Sequence, residues 1–368
     1  MIAGRATAEG TARYAARARQ AADGHFRDLD GLAAPSLGVG TYLGLEDDAT
    51  DALYQQAVDQ AVARGISVID TAINYRHQRS ERAIGAALAD LLARRVVARD
   101  EVIVATKGGY IPFDREAPAD AGAYFSATYL RPRIVGPGDV VGGSHCMTPR
   151  YLADQIARSR ANLGLATIDV YYVHNPEGQL AEVDGAEFTR RIRAAFGALE
   201  QAVSDGAIAR YGTATWNGYR QPPGAADLLS LEALVTVARE VGGPDHHFKV
   251  IQLPYNLAMP EAFVRANQRV GDETVSALEA ARRLGVYVMA SASVYQGQLT
   301  RNLPPVIAEF LPGLATNAQR ALQFVRSTPG VGTALVGMKS VAHVEENARV
   351  AATAPIPWSD FQRLFSEA

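Results

Sequence analysis

Three short segments of this chain end in ionisable side chains suited to proton transfer at a carbonyl oxygen. Val68-Ile69-Asp70 runs on into Thr71-Ala72-Ile73-Asn74-Tyr75, Val104-Ala105-Thr106 ends in Lys107, and Tyr171-Tyr172-Val173 ends in His174. A buried ammonium alone is costly, so a pairing of Asp70 with Lys107 makes physical sense. Lys107 beside a phenol favours phenolate, which predicts a Tyr75 pKa lowered from about 10 toward neutral pH. Tyr75 then serves as general acid for an alkoxide forming from a carbonyl, and a neutral His174 orients that oxygen by a hydrogen bond. This set polarises a carbonyl and delivers a proton but has no hydride, which implies a nicotinamide cofactor. Each residue alone says little, since a lone histidine is usually a core residue and a strand-end aspartate is often a helix cap. Four fitting residues at three strand ends say more.

The lysine count adds weight. Of 36 basic side chains only Lys107, Lys249 and Lys339 are lysine. Arginine, with its wide planar guanidinium, does not replace lysine where a compact ammonium is needed. Lys107 and Lys339 are therefore candidates for special roles, and Lys249 is read as a surface residue.

For Asp70, Lys107 and His174 to meet, three strands must lie side by side, about 4.8 Å apart, with the same end up. The chain supplies such strands. Apolar segments at Leu37–Tyr42, Ser67–Asp70, Val102–Lys107, Ile168–His174, Ile208–Thr213, Lys249–Leu253, Val286–Ala290 and Thr333–Gly337 alternate with helical patterns. The helices fall near 51–64, 81–95, 150–164, 187–206, 225–241, 273–285, 317–328 and 341–352, with Ser80-Glu81 opening one and Gly65 and Gly285 closing two. Short Val-, Ile- and Tyr-rich strands alternating with helices predict parallel β/α units. Eight units without a Gly-rich fingerprint in the first turn favour an α/β (β/α)8 TIM barrel over an open doubly wound sheet.

In that barrel the chemistry sits at the C-terminal strand ends. The loop 108–148 after the third strand is far longer than usual and carries Tyr110, Phe113, Tyr124, Phe125 and Tyr129. A second excursion, 291–316, follows strand seven. Both are expected on the active-site face, the first as a lid whose aromatic residues wall the substrate. A packing or oligomer-contact loop is the alternative.

From about Ser36 to Asn347 the chain resembles the aldo-keto reductase superfamily. The resemblance rests on Gly38-Val39-Gly40-Thr41-Tyr42, on Asp70 through Tyr75 followed by Ser80-Glu81-Arg82-Ala83-Ile84-Gly85, and on Lys107, His174-Asn175, Gln252 and Tyr255-Asn256. Near the end it continues in Gly337-Met338-Lys339-Ser340 and Glu346-Asn347. It implies Asp70, Tyr75, Lys107 and His174 as a catalytic tetrad. It also implies a cofactor site drawn from Gly40, Thr41, Tyr42, Asp70, Asn175, Thr215, Gln252, Ser291, Lys339, Ser340, His343, Glu346 and Asn347. Gln252 would meet the nicotinamide carboxamide, Lys339 and Ser340 the ribose phosphate, and Glu346 and Asn347 would lie near the adenine. A lysine and a hydroxyl at a helix start make a good phosphate seat.

The chain departs from the family pattern in three places. Ala214 and Thr215 replace the usual serine and asparagine after strand five. Ser291 stands where an aromatic ring often stacks on nicotinamide, with Tyr295 or Trp216 as substitutes. His343 replaces an arginine. NADP(H) is the expected cofactor, NAD(H) remains open, and the expected partner is a small carbonyl or alcohol. The alternative is an accessory subunit that holds the cofactor with little turnover.

The bulk numbers fit one well-cored domain: 368 residues, 48% hydrophobic, net charge −3. They give no reason to expect nucleic acid or a membrane as partner. A single cysteine, Cys146, rules out an intrachain disulfide. His145-Cys146 with His77 and His174 lacks paired metal-ligand spacing, so no metal is expected. Residues 1–33 are read as an extension of the 34–368 barrel. Arg5, Arg13, Arg17 and Arg19 give it a transit-like flavour, but it is expected to be a solvated helix over Ala8–Ala22 lying on the barrel. A cytoplasmic location is expected.

Overall fold

The computed structural model describes residues 1–301 and 303–366. Residue 302 of the expected 291–316 excursion and the last two residues of the expected barrel unit lie outside the described residues. Among the described residues, eight parallel strands close into a barrel: β1 (Leu37–Gly40), β2 (Val68–Asp70), β3 (Ile103–Gly108), β4 (Val170–His174), β5 (Tyr211–Ala214), β6 (Phe248–Pro254), β7 (Tyr287–Ser291) and β8 (Thr333–Gly337). Each pairs with the next, and β8 returns to β1 with Ala334 opposite Leu37. The main helices, one after each strand, are α1 (Asp48–Ala63), α2 (Arg79–Ala93), α3 (Pro149–Leu163), α4 (Gly185–Ser204), α5 (Leu231–Gly242), α6 (Ala277–Arg283), α7 (Asn317–Ser327) and α8 (Val341–Ala351). The TIM barrel expected from the alternation is the fold observed.

Strand alternation decides which side chains enter the barrel. Successive residues of a strand point to opposite faces. Val68, Ile103, Ala105, Val170, Tyr172, Val250, Met289 and Leu335 fill the interior, while Ile69, Val104, Tyr171, Val173, Ile251 and Val288 pack outward against the helices. Counting by twos from the inward set brings Asp70, Lys107, His174 and Gln252 inward as well, at the C-terminal mouth. Register agrees, with Asp70 opposite Ala105 and Lys107 opposite Tyr172.

The first 35 residues close the other end. The N-terminal helix covers Ala8–Arg17, shorter than expected, and Thr7 caps it by accepting from Gly10 N at 3.0 Å. It is docked rather than merely solvated. Tyr14 is buried and donates to Val62 O at 2.5 Å, and Arg13 and Arg17 pair with Glu101. A Cβ on Gly10 would lie 2.3 Å from Asp100 O, so only glycine allows this approach. A hairpin follows, with Phe26–Leu29 antiparallel to Leu32–Pro35. Its Leu29, Leu32 and Ala34 join the barrel-interior cluster from below. The expected boundary after residue 33 therefore falls within a hairpin strand.

Two expected helices begin later than the pattern suggested. The 225–241 pattern becomes helical only at Leu231, where Ser230 accepts from Ala233 N. In the 273–285 pattern, Glu273–Ser276 is a strand paired with Ala266–Val270 across a turn at Gly271, whose φ is 59°. A one-turn apolar pattern does not separate a strand from a helix start, and the Gly-Asp turn decided it. Gly65 and Gly285 do close helices with positive φ.

Candidate active site

At the barrel mouth Asp70 and Lys107 form a buried ion pair, Nζ to Oδ2 2.7 Å, and Nζ also donates to Thr71 O at 2.7 Å. The second carboxylate oxygen accepts from Gln252 Nε2 at 2.7 Å. Both Asp70 oxygens are therefore engaged, which offsets the cost of burying the pair. The ammonium lies 4.9 Å from the centre of the Tyr75 ring, and the Tyr75 and His174 rings meet edge-on at 6.0 Å. The four expected tetrad residues thus come together.

Their protonation differs from the expectation in one respect. Lys107 does not pull the Tyr75 phenol toward neutral pH; burial pushes it well above the ordinary tyrosine range, and Asp70, Tyr42 and Tyr110 push the same way. The reason is visible in the ion pair. Lys107 spends its charge on Asp70, and its own pKa is lowered by burial. Tyr75 is a protonated phenol at neutral pH. His174 is held well below its usual range, first by burial and then by Lys107 and His145, so it is a neutral imidazole.

Tyr75 is held by the chain on either side of it. Thr71 N donates to Ala105 O and Ile73 N to Lys107 O, tying the segment to β3. Beyond it Arg76, His77 and Gln78 all have left-handed φ, 49°, 52° and 69°. Such a run is costly for non-glycine residues and persists only where its surroundings fix it. Arg76 binds Leu45 O, Asp47 O and Asp51, while Gln78 donates to Phe113 O and accepts from Asn162. Ser80 and Glu81, expected as a helix start, do other work. The helix opens at Gln78 without a side-chain cap. Ser80 donates to Thr41 O, and buried Glu81 accepts from Thr106 and Asn162. That bracing ties the approach to Tyr75 to the residue before Lys107, a role hidden in the sequence because Glu81 reads as an ordinary first-turn acid.

The long loop after β3 is a folded unit with its own core. Tyr129, Val135, Cys146 and Tyr151 of α3 are buried together, with Tyr124 and Phe125 packed against them. Of the loop's expected wall aromatics, Tyr110 is the one that stands beside His174. Its ring meets His174 edge-on at 5.1 Å, and its hydroxyl accepts from Asn175 Nδ2 at 3.1 Å. Phe113 instead packs on His77 at 5.6 Å.

On the opposite wall, Thr215 N and Asn175 N donate to Gln252 O and Ala214 O, and Thr215 Oγ1 to Gln252 O at 3.5 Å. The loop carrying Thr215 and Trp216 is clamped by buried Glu177, whose Oε1 accepts from Trp216, Asn217 and Gly218 N at 2.7, 3.0 and 3.3 Å. Sequence reading missed this clamp; an acid three residues beyond His174 was its only sign. Trp216 and Tyr42 remain largely exposed at the rim, and Tyr42 meets Tyr75 edge-on at 5.0 Å. Ser291 ends β7, and Tyr295 lies in the turn beyond.

At β8 the chain passes through Gly337 to Ser340, which caps α8 by accepting from His343 N at 3.3 Å. Lys339 and His343 are exposed, and neither has an ion-pair partner among the described residues. Gly40 pairs with Gly337 where β1 meets β8. Glu346 is half-buried with its carbonyl taken by Gln319, and Asn347 is 4% exposed with a buried, unpartnered Oδ1. Among the described residues no three His, Cys, Asp or Glu side chains converge as a metal site, and no helix is long and apolar enough to cross a membrane.

This barrel, with an acid, a lysine, a tyrosine and a histidine meeting at its mouth, matches the aldo/keto reductase family model over residues 36–366, and the chain belongs to that family. It is 30% identical over 188 residues to a D-threo-aldose 1-dehydrogenase from a Pseudomonas species, a match covering 50% of each chain. The chain thus spans about half the length of that curated relative. Its fold is similar to that of an aldo/keto reductase from Klebsiella pneumoniae solved with NADP and acetate, at 20% identity, TM-score 0.61, covering 94% of this chain and 96% of that one. A glycerol dehydrogenase from Gluconobacter oxydans is similar at 17% identity and TM-score 0.65, covering 94% and 95%.

Proposed function

We propose that this protein is an NADP(H)-dependent oxidoreductase that interconverts a carbonyl and its alcohol, with Tyr75 as general acid and base. The carrying observation is the buried Asp70–Lys107 pair at 2.7 Å with its ammonium against the Tyr75 ring. The cofactor supplies or accepts the hydride when bound. Lys339, the free N–H groups at the start of α8 and the Ser340 hydroxyl fit its ribose phosphate, because an unpaired cation beside a helix N-terminus favours an anion. Gln252, Thr215 and Asn175, which follows the end of β4, are our candidates for holding the carboxamide, with Gln252 Nε2 already donating to Asp70.

In reduction, the Tyr75 O–H donates to the carbonyl oxygen as negative charge develops there, and neutral His174 donates a second hydrogen bond that orients it. Lys107 remains charged beside the phenol and stabilises the phenolate left behind. In oxidation the same phenolate takes the alcohol proton. The aldose dehydrogenase relative and the polar, tyrosine-rich mouth favour a sugar hydroxyl or carbonyl as substrate. The test mixes the protein with NADPH and a panel of aldehydes, and with NADP and a panel of aldoses, and follows absorbance at the reduced-cofactor band. Turnover with NADP(H) supports the reading; saturable cofactor binding without turnover on either panel would favour an accessory role.

A further inference from the structure

His174 is unusual among the tetrad residues in what does not hold it. Its Nδ1 is buried and has no hydrogen-bond partner among the described residues, so no acceptor fixes the ring from behind. What is fixed is its backbone. The His174 carbonyl accepts from His145 Nε2 at 2.7 Å, across from the long loop after β3. His145 is 4% exposed, and its other nitrogen, Nδ1, receives Gln179 Nε2 at 2.8 Å. Gln179 in turn accepts at Oε1 from Arg191 at 2.6 Å, and Arg191 pairs with Glu187 on α4. An arginine donates only, so the Gln179 oxygen must face Arg191 and its NH2 must face His145. That leaves Nδ1 of His145 as acceptor and puts the ring hydrogen on Nε2, pointing at the His174 carbonyl.

The packing around this contact is equally specific. Tyr110 meets His145 edge-on at 5.3 Å and His174 edge-on at 5.1 Å, so one ring spans both imidazoles. Gly109, with φ 149°, passes so close that a Cβ there would lie 2.8 Å from His145 Nε2 and 2.9 Å from His174 O. Just beyond, Asn175 turns left-handed at φ 46°.

We propose that His145 is a positioning residue that sets the orientation of the His174 imidazole through the His174 carbonyl and the shared Tyr110 ring, with Gln179 fixing its tautomer. This rests on the proposed role of His174. The Arg191–Gln179–His145 relay thereby links α4 and the folded loop to the reacting oxygen. An error of about 1 Å in a catalytic group costs up to about 10²-fold in rate.

The test uses the full chain and four variants: His145→Ala, His145→Gln, His174→Ala and the double alanine. His145→Gln keeps a donor near the Nε2 position. His145→Ala is expected to lower kcat about 10- to 10²-fold with NADP(H) affinity little changed, His145→Gln to restore most of the rate, and the double variant to be no slower than His174→Ala alone. Additive losses in the double variant, or equal rates for Ala and Gln, would overturn it. Nitrogen-15 histidine spectra provide a readout independent of turnover. Wild type should show His145 protonated on Nε2 only, and His145→Ala should shift the His174 resonances. A His145 carrying its hydrogen on Nδ1, or unshifted His174 signals in a folded variant, also refutes the proposal. Absence of wild-type turnover on every carbonyl, with those spectra as expected, would count against the proposed function and not against the contact.

Discussion

Tyr75 carries the proton in the proposed chemistry, and its environment fixes when. Because its folded pKa is raised, the phenol stays protonated through neutral pH and is lost only in strongly alkaline solution. The sign for the two directions is therefore opposite. Reduction uses the protonated form and should be flat on its alkaline side between about pH 6 and 9, whereas oxidation needs the phenolate and should rise with pH over that range. Steady-state rates in both directions against pH check this; a reduction rate falling steeply from pH 7 upward would show that the phenol ionises early. Tyr75→Phe removes the hydroxyl and keeps the ring, and should lower turnover by about 10²–10⁴-fold with cofactor affinity nearly kept. In the proposed cofactor site Lys339 faces solvent with no ion-pair partner among the described residues. Lys339→Met should cost NADP(H) about ten- to a hundredfold in affinity, one charge-assisted bond, and leave NAD(H) nearly unchanged. Paired titrations decide it, and equal losses for both cofactors would misplace the phosphate seat.

At the scale of elements, what was legible in the sequence was what strand alternation and helix caps encode. Asp70, Lys107 and His174 were readable because each ends an apolar strand on the inward parity, and Tyr75 because five residues suffice to fold back. The Glu177 clamp, the Ser80–Glu81 brace and the mini-core around Tyr129 were not, since each depends on which loops meet in space. In the expected lid 108–148, glycines and aromatics together read as a hinge and a wall, whereas Tyr124, Phe125 and Tyr129 pack on one another in the loop's own core. Glu177 makes a prediction at this scale. Its three backbone N–H partners hold the loop bearing Thr215 and Trp216, and Glu177→Ala leaves them unpaired at about 1–3 kcal/mol each at most. Substrate KM should rise several-fold, with the pH profile of kcat unchanged. A variant that folds and binds substrate as wild type does would show that the loop holds itself.

At the scale of the molecule, the two ends of the barrel are separate jobs. The mouth carries polar pairs; the floor is sealed by Leu29, Leu32 and Ala34 against the interior. Leu29 is fully buried, so Leu29→Ala should destabilise the fold by about 2–5 kcal/mol while the folded fraction keeps its turnover number. Chemical denaturation alongside active-site titration measures both, and an altered turnover number would mean that the floor reaches the chemistry.

That floor also sets an order of events during synthesis. Residues 1–35 are made before the barrel they seal, yet their contacts are with segments made later: Ile2 bridges to Leu165, Ala6 N donates to Asp169, and Arg27 reaches the carbonyls of Arg326 and Val331. Three hundred residues separate the ends of that last contact, and no partial chain can make it. The arm's cover is complete only once β8 has been made and the ring can close. Until those later partners are made, the apolar side chains of this hairpin lack their cover and are open to proteases and to other unfinished chains.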